Sequence, residues 1–109
     1  MGITANVNLG NGATASSCYI IVPSAYVKKF RPEQDGESAT FKLIYDVAIY
    51  ENKAAADTLN LNERLNKKII CKNVDSFKID YDVTTTDNPW KLAYTHLKNN
   101  TFLSSVADA

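Results

Sequence analysis

What this 109-residue chain has little of narrows its chemistry at once. It contains one histidine, His96, and two cysteines, Cys18 and Cys71, which lie far apart and belong to no Cys-x-x-Cys pair. Zinc and dithiol redox chemistry need closely spaced thiols or imidazoles, so the cysteines read as buried thiols in strands. Nucleophilic catalysis needs a Ser or Cys matched to a base and an orienting acid. With a single histidine and no Gly-x-Ser-x-Gly elbow, no such set assembles. The four glycines, Gly2, Gly10, Gly12 and Gly36, form no phosphate-cradling loop, so no nucleotide and no cofactor is expected. The longest apolar run, Cys18 to Val22, is five residues, against about twenty for a membrane-spanning helix. Met1-Gly2-Ile3-Thr4 has neither the basic nor the apolar region of a secretory signal, which sets the expectation of synthesis in the cytoplasm.

Charge of one sign is also missing. Twelve basic and twelve acidic residues cancel, and neither forms a long block, so nucleic acid and membrane surfaces are not expected partners. A hydrophobic share of 45% with 22% charged residues lies far from the composition of a disordered chain. A chain of this length buries one modest core, and no linker or repeat divides it; residues 1–109 are expected to form one domain.

What is present is mostly a period of two. Ile3, Ala5, Val7 and Leu9 alternate with Thr4, Asn6 and Asn8 in a first strand, which runs into the turn chemistry of Gly10-Asn11-Gly12. Residues 13–17 read as a loose polar connection. Residues 17–30 read as an extended segment that Pro23 either bends or confines to an edge, since proline cannot donate to a ladder. Pro32-Glu33-Gln34-Asp35-Gly36 then turns a long hairpin into a strand over about 38–51, with Phe41, Leu43, Tyr45, Val47 and Ile49 on its core face. Its other face, which includes Ala48 and Tyr50, is mixed. Residues 52–68 fit neither period cleanly and read as a loop with at most one helical turn, leading to a strand at 67–72. Alternation returns over 74–84, with Val74, Phe77, Ile79, Tyr81 and Val83 apolar. Asn88-Pro89 fits an N-cap followed by proline at the first helical position, which predicts a helix over about 88–99. Trp90, Ala93, Tyr94 and Leu97 form its apolar stripe. The expected fold is mainly β: an antiparallel sheet or small sandwich of about five strands with a long hairpin, closed by one short C-terminal helix.

Candidate sites are few. His96 lies about 110° from the middle of the helical stripe and reads as a solvent-flanking histidine. Asp75, Asp80, Asp82 and Asp87 cluster in sequence, but not in an EF-hand spacing, and read as solvated charge. Paired carboxylates for glycoside hydrolysis would need a sugar cleft that sequence does not show. Lys28, Lys29 and Arg31 beside Tyr26 and Phe30, with Lys67, Lys68 and Lys72 further on, have the interleaved pattern of single-strand binders. Glu33, Asp35 and Glu37 follow at once, so a solvated hairpin tip is the reading adopted. Asn99-Asn100-Thr101 is a glycosylation triplet only by form. The apolar ends stand out: Ile3, Ala5, Val7 and Leu9 at the start, and Phe102, Leu103 and Val106 after the helix, either pack on their own core or dock on a neighbour. Docking is the expectation, with these seven residues as the interface.

The hairpin from Phe30 to Tyr50, the segment from Ile44 to Ala55 and the run Asn88-Pro89-Trp90-Lys91-Leu92-Ala93-Tyr94-Thr95-His96-Leu97-Lys98 resemble small structural proteins of tailed bacteriophages. The resemblance covers about two-thirds of the chain, stops at residues 54–72, and carries no catalytic residues. It implies a non-enzymatic virion subunit of the tail, baseplate or neck, made in the host cytoplasm, in contact with other virion proteins, and expected to be a homo-oligomer. The alternative is a carbohydrate- or receptor-binding β-domain that uses Tyr19, Tyr26, Tyr50 or Trp90 as stacking platforms.

Overall fold

A computed structural model describes residues 2–10, 12–32, 34–36, 38–71 and 76–109. The chain is mainly β. The strands are β1 (Ile3–Asn8), β2 (Thr14–Ile21), β3 (Ala25–Phe30), β4 (Thr40–Asp46), β5 (Ala48–Tyr50), β6 (Lys68–Ile69), β7 (Ser76–Asp80) and β8 (Leu103–Asp108). The helices are α1 (Lys53–Ala56), α2 (Leu61–Asn66) and α3 (Pro89–Lys98). They build a five-stranded sheet in the order β6-β5-β2-β1-β8 and a three-stranded sheet in the order β3-β4-β7, with every pairing antiparallel.

One long hairpin runs through both sheets. β3 pairs β4 in the small sheet, and the same two chain segments continue as β2 and β5 in the large one. Between them the register slips: Ala25 faces Tyr45 but Ile21 faces Ala48, four residues along one strand against three along the other. The extra residue falls at Val22-Pro23-Ser24, where proline removes a ladder donor. The slip exchanges the faces of that strand, so Cys18, Ile20 and Val22 point into the core before the bend and Ala25 and Val27 after it. The partner strand keeps its alternation, and Leu43, Tyr45, Val47 and Ile49 are all buried. Of the two readings of Pro23, the bend is the one observed; β2 itself lies inside the large sheet, between β5 and β1.

The bend leaves backbone groups without ladder partners, and α3 supplies replacements. The Val22 N–H donates to the Tyr94 hydroxyl at 2.9 Å, and Trp90 Nε1 donates to the Val22 carbonyl at 3.1 Å. Opposite, the Asp46 N–H donates to the Ser24 carbonyl at 3.0 Å and Ser24 Oγ donates to the Asp46 carboxylate at 2.7 Å. The helix starts where sequence placed it, with the Asn88 side chain accepting from the Lys91 N–H and Pro89 in the first turn. Ala93, Tyr94 and Leu97 are buried in the core between the two sheets.

Several expectations are corrected. Residues 14–17 belong to β2, because a bulge lets them pair: two residues of β1 from Ala5 to Val7 oppose three of β2 from Cys18 to Ala15. Ser17 takes up the extra residue at φ 54°, with its N–H donating to Asn6 Oδ1 at 2.9 Å. Residues 52–68 hold two short helices, each capped by an asparagine: Asn52 accepts from Ala55 and Asn60 from Glu63. The strand expected over 67–72 is the two-residue β6 with a bridge at Cys71, and Lys72 lies outside the described residues, as do Val74 and Asp75. β7 ends at Asp80 because Asp82 Oδ1 accepts from both the Thr84 N–H and Oγ1, closing a turn that leaves Val83 exposed. The expected count of about five strands rises to eight among the described residues, since two segments are each broken in two and the C-terminal tail forms β8.

Replacing Tyr94 by Phe strands the buried Val22 N–H and is expected to cost about 1–3 kcal/mol, while Leu43→Ala, at a fully buried site, should cost about 2–5 kcal/mol. Urea midpoints measure both; a Tyr94→Phe protein as stable as the parent would refute the bracing role.

Candidate functional site

The expected contact ends sit in the chain's own core. Ile3, Ala5 and Val7 are at most 2% exposed. Leu103 is buried, and Leu9, Phe102 and Val106 are partly buried against the same cluster. β1 lies between β2 and β8, so the two chain ends pair with each other rather than reach outward. Of the two options for these residues, self-packing is the one the structure shows; removing either end would remove a strand from the large sheet.

The stacking platforms divide similarly. Tyr19 and Tyr50 are buried together with Ala48 and Ala56 on the outer face of the large sheet, where α1 covers them. The face of Ala48 and Tyr50 reads as mixed in sequence, because the periodicity of residues 52–68 does not show that a helical turn there packs on it. Tyr19 also lies against Gly2, where a Cβ would come within 2.5 Å of the ring. Tyr26 and Trp90 remain about half exposed, but Trp90 is pinned by its bond to Val22.

His96 is the other correction. It is half-buried beside Tyr45 and Phe77, with its ring edge-on to both at 5.7 Å. Phe102 stacks on Phe77 at 6.1 Å. The Tyr45 hydroxyl is hydrogen-bonded to His96 Nδ1. Burial pushes the Tyr45 phenol far above its ordinary range, so the phenol keeps its proton at neutral pH.

His96 also lines a cleft of about 600 Å³ between α3 and the connection that follows β7. Much of the polar lining is engaged within the fold. Asp82 accepts twice from Thr84, which holds its carboxyl below the usual range, and Thr95 Oγ1 donates to the Lys91 carbonyl. The Asp80 carboxylate pairs with Lys42 on the neighbouring strand. Of the acids considered for calcium, Asp75 lies outside the described residues; among the described residues no three His, Cys, Asp or Glu side chains gather as a metal site. None of the described helices is long and apolar enough to cross a membrane.

The strongest surface feature was not foreseen. α2 buries none of its six residues. Leu61 and Leu65, one turn apart on it, are 56% and 53% exposed, while Leu59 before it and Ile70 after β6 are 97% and 87% exposed. Leu65 and Ile70 border a hollow floored by Val47, Ile49 and Ile69 at the β6 edge of the large sheet. The sequence signal was the mixed periodicity of Leu59, Leu61 and Leu65, which suits neither a core strand nor a core helix.

Set against known proteins, the chain matches no family model, no curated protein and no solved structure.

Burial raises Cys18, Cys71, Tyr45 and Tyr94 above their ordinary values of 9.0 for thiols and 10.0 for phenols; Glu51 adds to the rise at Cys18. The folded state therefore holds protons that the unfolded chain releases, so stability is full below about pH 9 and falls as pH rises beyond it. Urea midpoints across alkaline pH should be level up to that point and then drop, with a shallower fall for Tyr45→Phe; a level profile into strong alkali would contradict the burial of these groups.

Proposed function

We propose that this protein is a non-enzymatic structural subunit that works by protein contact, and that α2 with its flanking residues is the contact element. The observation that supports this is the exposure of Leu59, Leu61, Leu65 and Ile70 on and around a helix none of whose residues is buried. A six-residue helix has no stability of its own, since isolated helices below about 12 residues are marginal in water. Covering the four side chains would remove the equivalent of nearly three fully exposed aliphatic residues from water, on the order of 5 kcal/mol before the costs of association.

The occupant proposed is a second copy of the chain. The apolar centre carries a rim of both signs, Glu63 beside Arg64 and Lys67. Such a rim can satisfy itself across a two-fold axis, where the same patch meets itself. The setting proposed is the virion of a tailed phage, among other virion proteins, as the resemblance of the hairpin and the Asn88–Lys98 run implies. His96 is given a structural role, since its Nδ1 is committed to Tyr45 inside an aromatic cluster.

Molar mass by light scattering over a hundredfold concentration range tests the reading. The parent is expected to form a defined oligomer and Leu65→Glu, at an exposed position, to be monomeric with an unchanged far-ultraviolet dichroism spectrum. A parent that stays monomeric throughout, or a variant of equal mass, would sink the proposal.

A further inference from the structure

The outer face of the three-stranded sheet gathers cations from segments that are distant in sequence. Lys28 on β3 and Lys42 on β4 are direct cross-strand partners, and Ile44, the next outward residue on β4, faces Lys78 on β7. The ammonium groups of Lys28 and Lys78 both lie 5.2 Å from the centroid of the Phe30 ring. Arg31, Lys42 and Lys78 line a hollow of about 310 Å³ with Phe30, Ser38 and Thr40, and no described carboxylate is among its walls. Two acids share the face. Asp80 is paired with Lys42, and Asp46, at the other end of β4, is bonded to Ser24. Tyr26, two positions along the same edge strand from Lys28, is 52% exposed.

Like charges placed directly opposite each other in a sheet repel, and nothing described on this face neutralises Lys28, Arg31 or Lys78. Lysine is depleted from protein–protein contacts, so a protein surface is a poor match for such a face. A phosphate backbone fits the cations, and a flexible strand can also lay bases on the exposed Tyr26 and on Phe30. We infer that this sheet face is a binding surface for single-stranded nucleic acid, with Lys28, Arg31 and Lys78 on phosphates and Tyr26 on a base. The net charge of zero for the whole chain does not show this local grouping of cations. The inference is independent of the apolar surface around α2, which lies at the β6 edge of the other sheet.

Fluorescence anisotropy of the full chain with a labelled oligothymidylate of about 12 nucleotides tests it. Binding is expected at low salt, with log K falling against log salt at a slope of about −2, the value for three phosphates on a single strand. Lys78→Gln should reduce the slope by about 0.7, and Tyr26→Ala should weaken binding by about tenfold with the slope unchanged. Lys29→Gln is the control, since Lys29 lies over Phe41 on the opposite face. Thermal unfolding confirms that each variant folds. Absence of binding at the lowest salt overturns the inference, as does equal affinity for a duplex of the same length, or a loss in Lys29→Gln as large as that in Lys78→Gln.

Discussion

The architecture depends on what happens to the backbone of Val22. A hairpin that crosses from one sheet to another must break its ladder, and a buried N–H or C=O left without a partner costs about as much as a lost hydrogen bond. Here both groups of one residue are taken by side chains of α3, Tyr94 for the N–H and Trp90 for the carbonyl. Two side chains four residues apart lie on one helical face, so their spacing fixes how α3 lies against the bend. The helix then places Ala93 and Leu97 in the core and brings His96 against Tyr45. The aromatic cluster and the cleft at its margin follow from that docking.

This constraint also explains how the chain ends are used. With α3 fixed, the segment after it runs back along β1, and Phe102 reaches Phe77. The Asn6 region of β1 is bulged on both sides, since β8 as well as β2 carries an extra residue opposite it, each with a serine near φ 54°. Paired bulges deepen the local twist. The Lys98–Asp108 ion pair ties the last strand to the helix, although an exposed pair of this kind contributes little by itself.

Much of this could be read from residue order, and the failures share one cause. β1, the hairpin around residues 30 to 40, the core face from Leu43 to Ile49 and the α3 caps all rest on local patterns, and local patterns survive tertiary context. The strand break at Pro23 was legible, but the exchange of faces was not, because a one-residue slip is set by the partner strand. Tyr19 and Tyr50 read as platforms because a helical turn at Ala54 to Ala56 can be read from sequence but its packing over these two rings cannot. His96 reads as solvent-flanking from its angle on an isolated helix, which does not show the Tyr45 and Phe77 rings that the small sheet brings against it. Lys42 and Lys78 were invisible as companions of Lys28, since only strand pairing brings them to one face.

The three surfaces differ in what the core asks of them, and that difference orders them as functional candidates. The lining of the His96 cleft is tied to its own turn and helix by bonds that a structural role explains. The exposed apolar side chains around α2 and the lysines on the small sheet are explained less fully: Leu59 and Ile70 are not buried, and of the facing pair Lys28 and Lys42 only Lys42 has a carboxylate partner among the described residues. A locally unfavourable choice that the fold does not require is best accounted for by an interaction outside it. On that ground the contact surfaces proposed are the edge of the large sheet at α2 and the outward face of the small one. They lie on different sheets, so a second copy and an extended polyanion could occupy them without competing for the same strands.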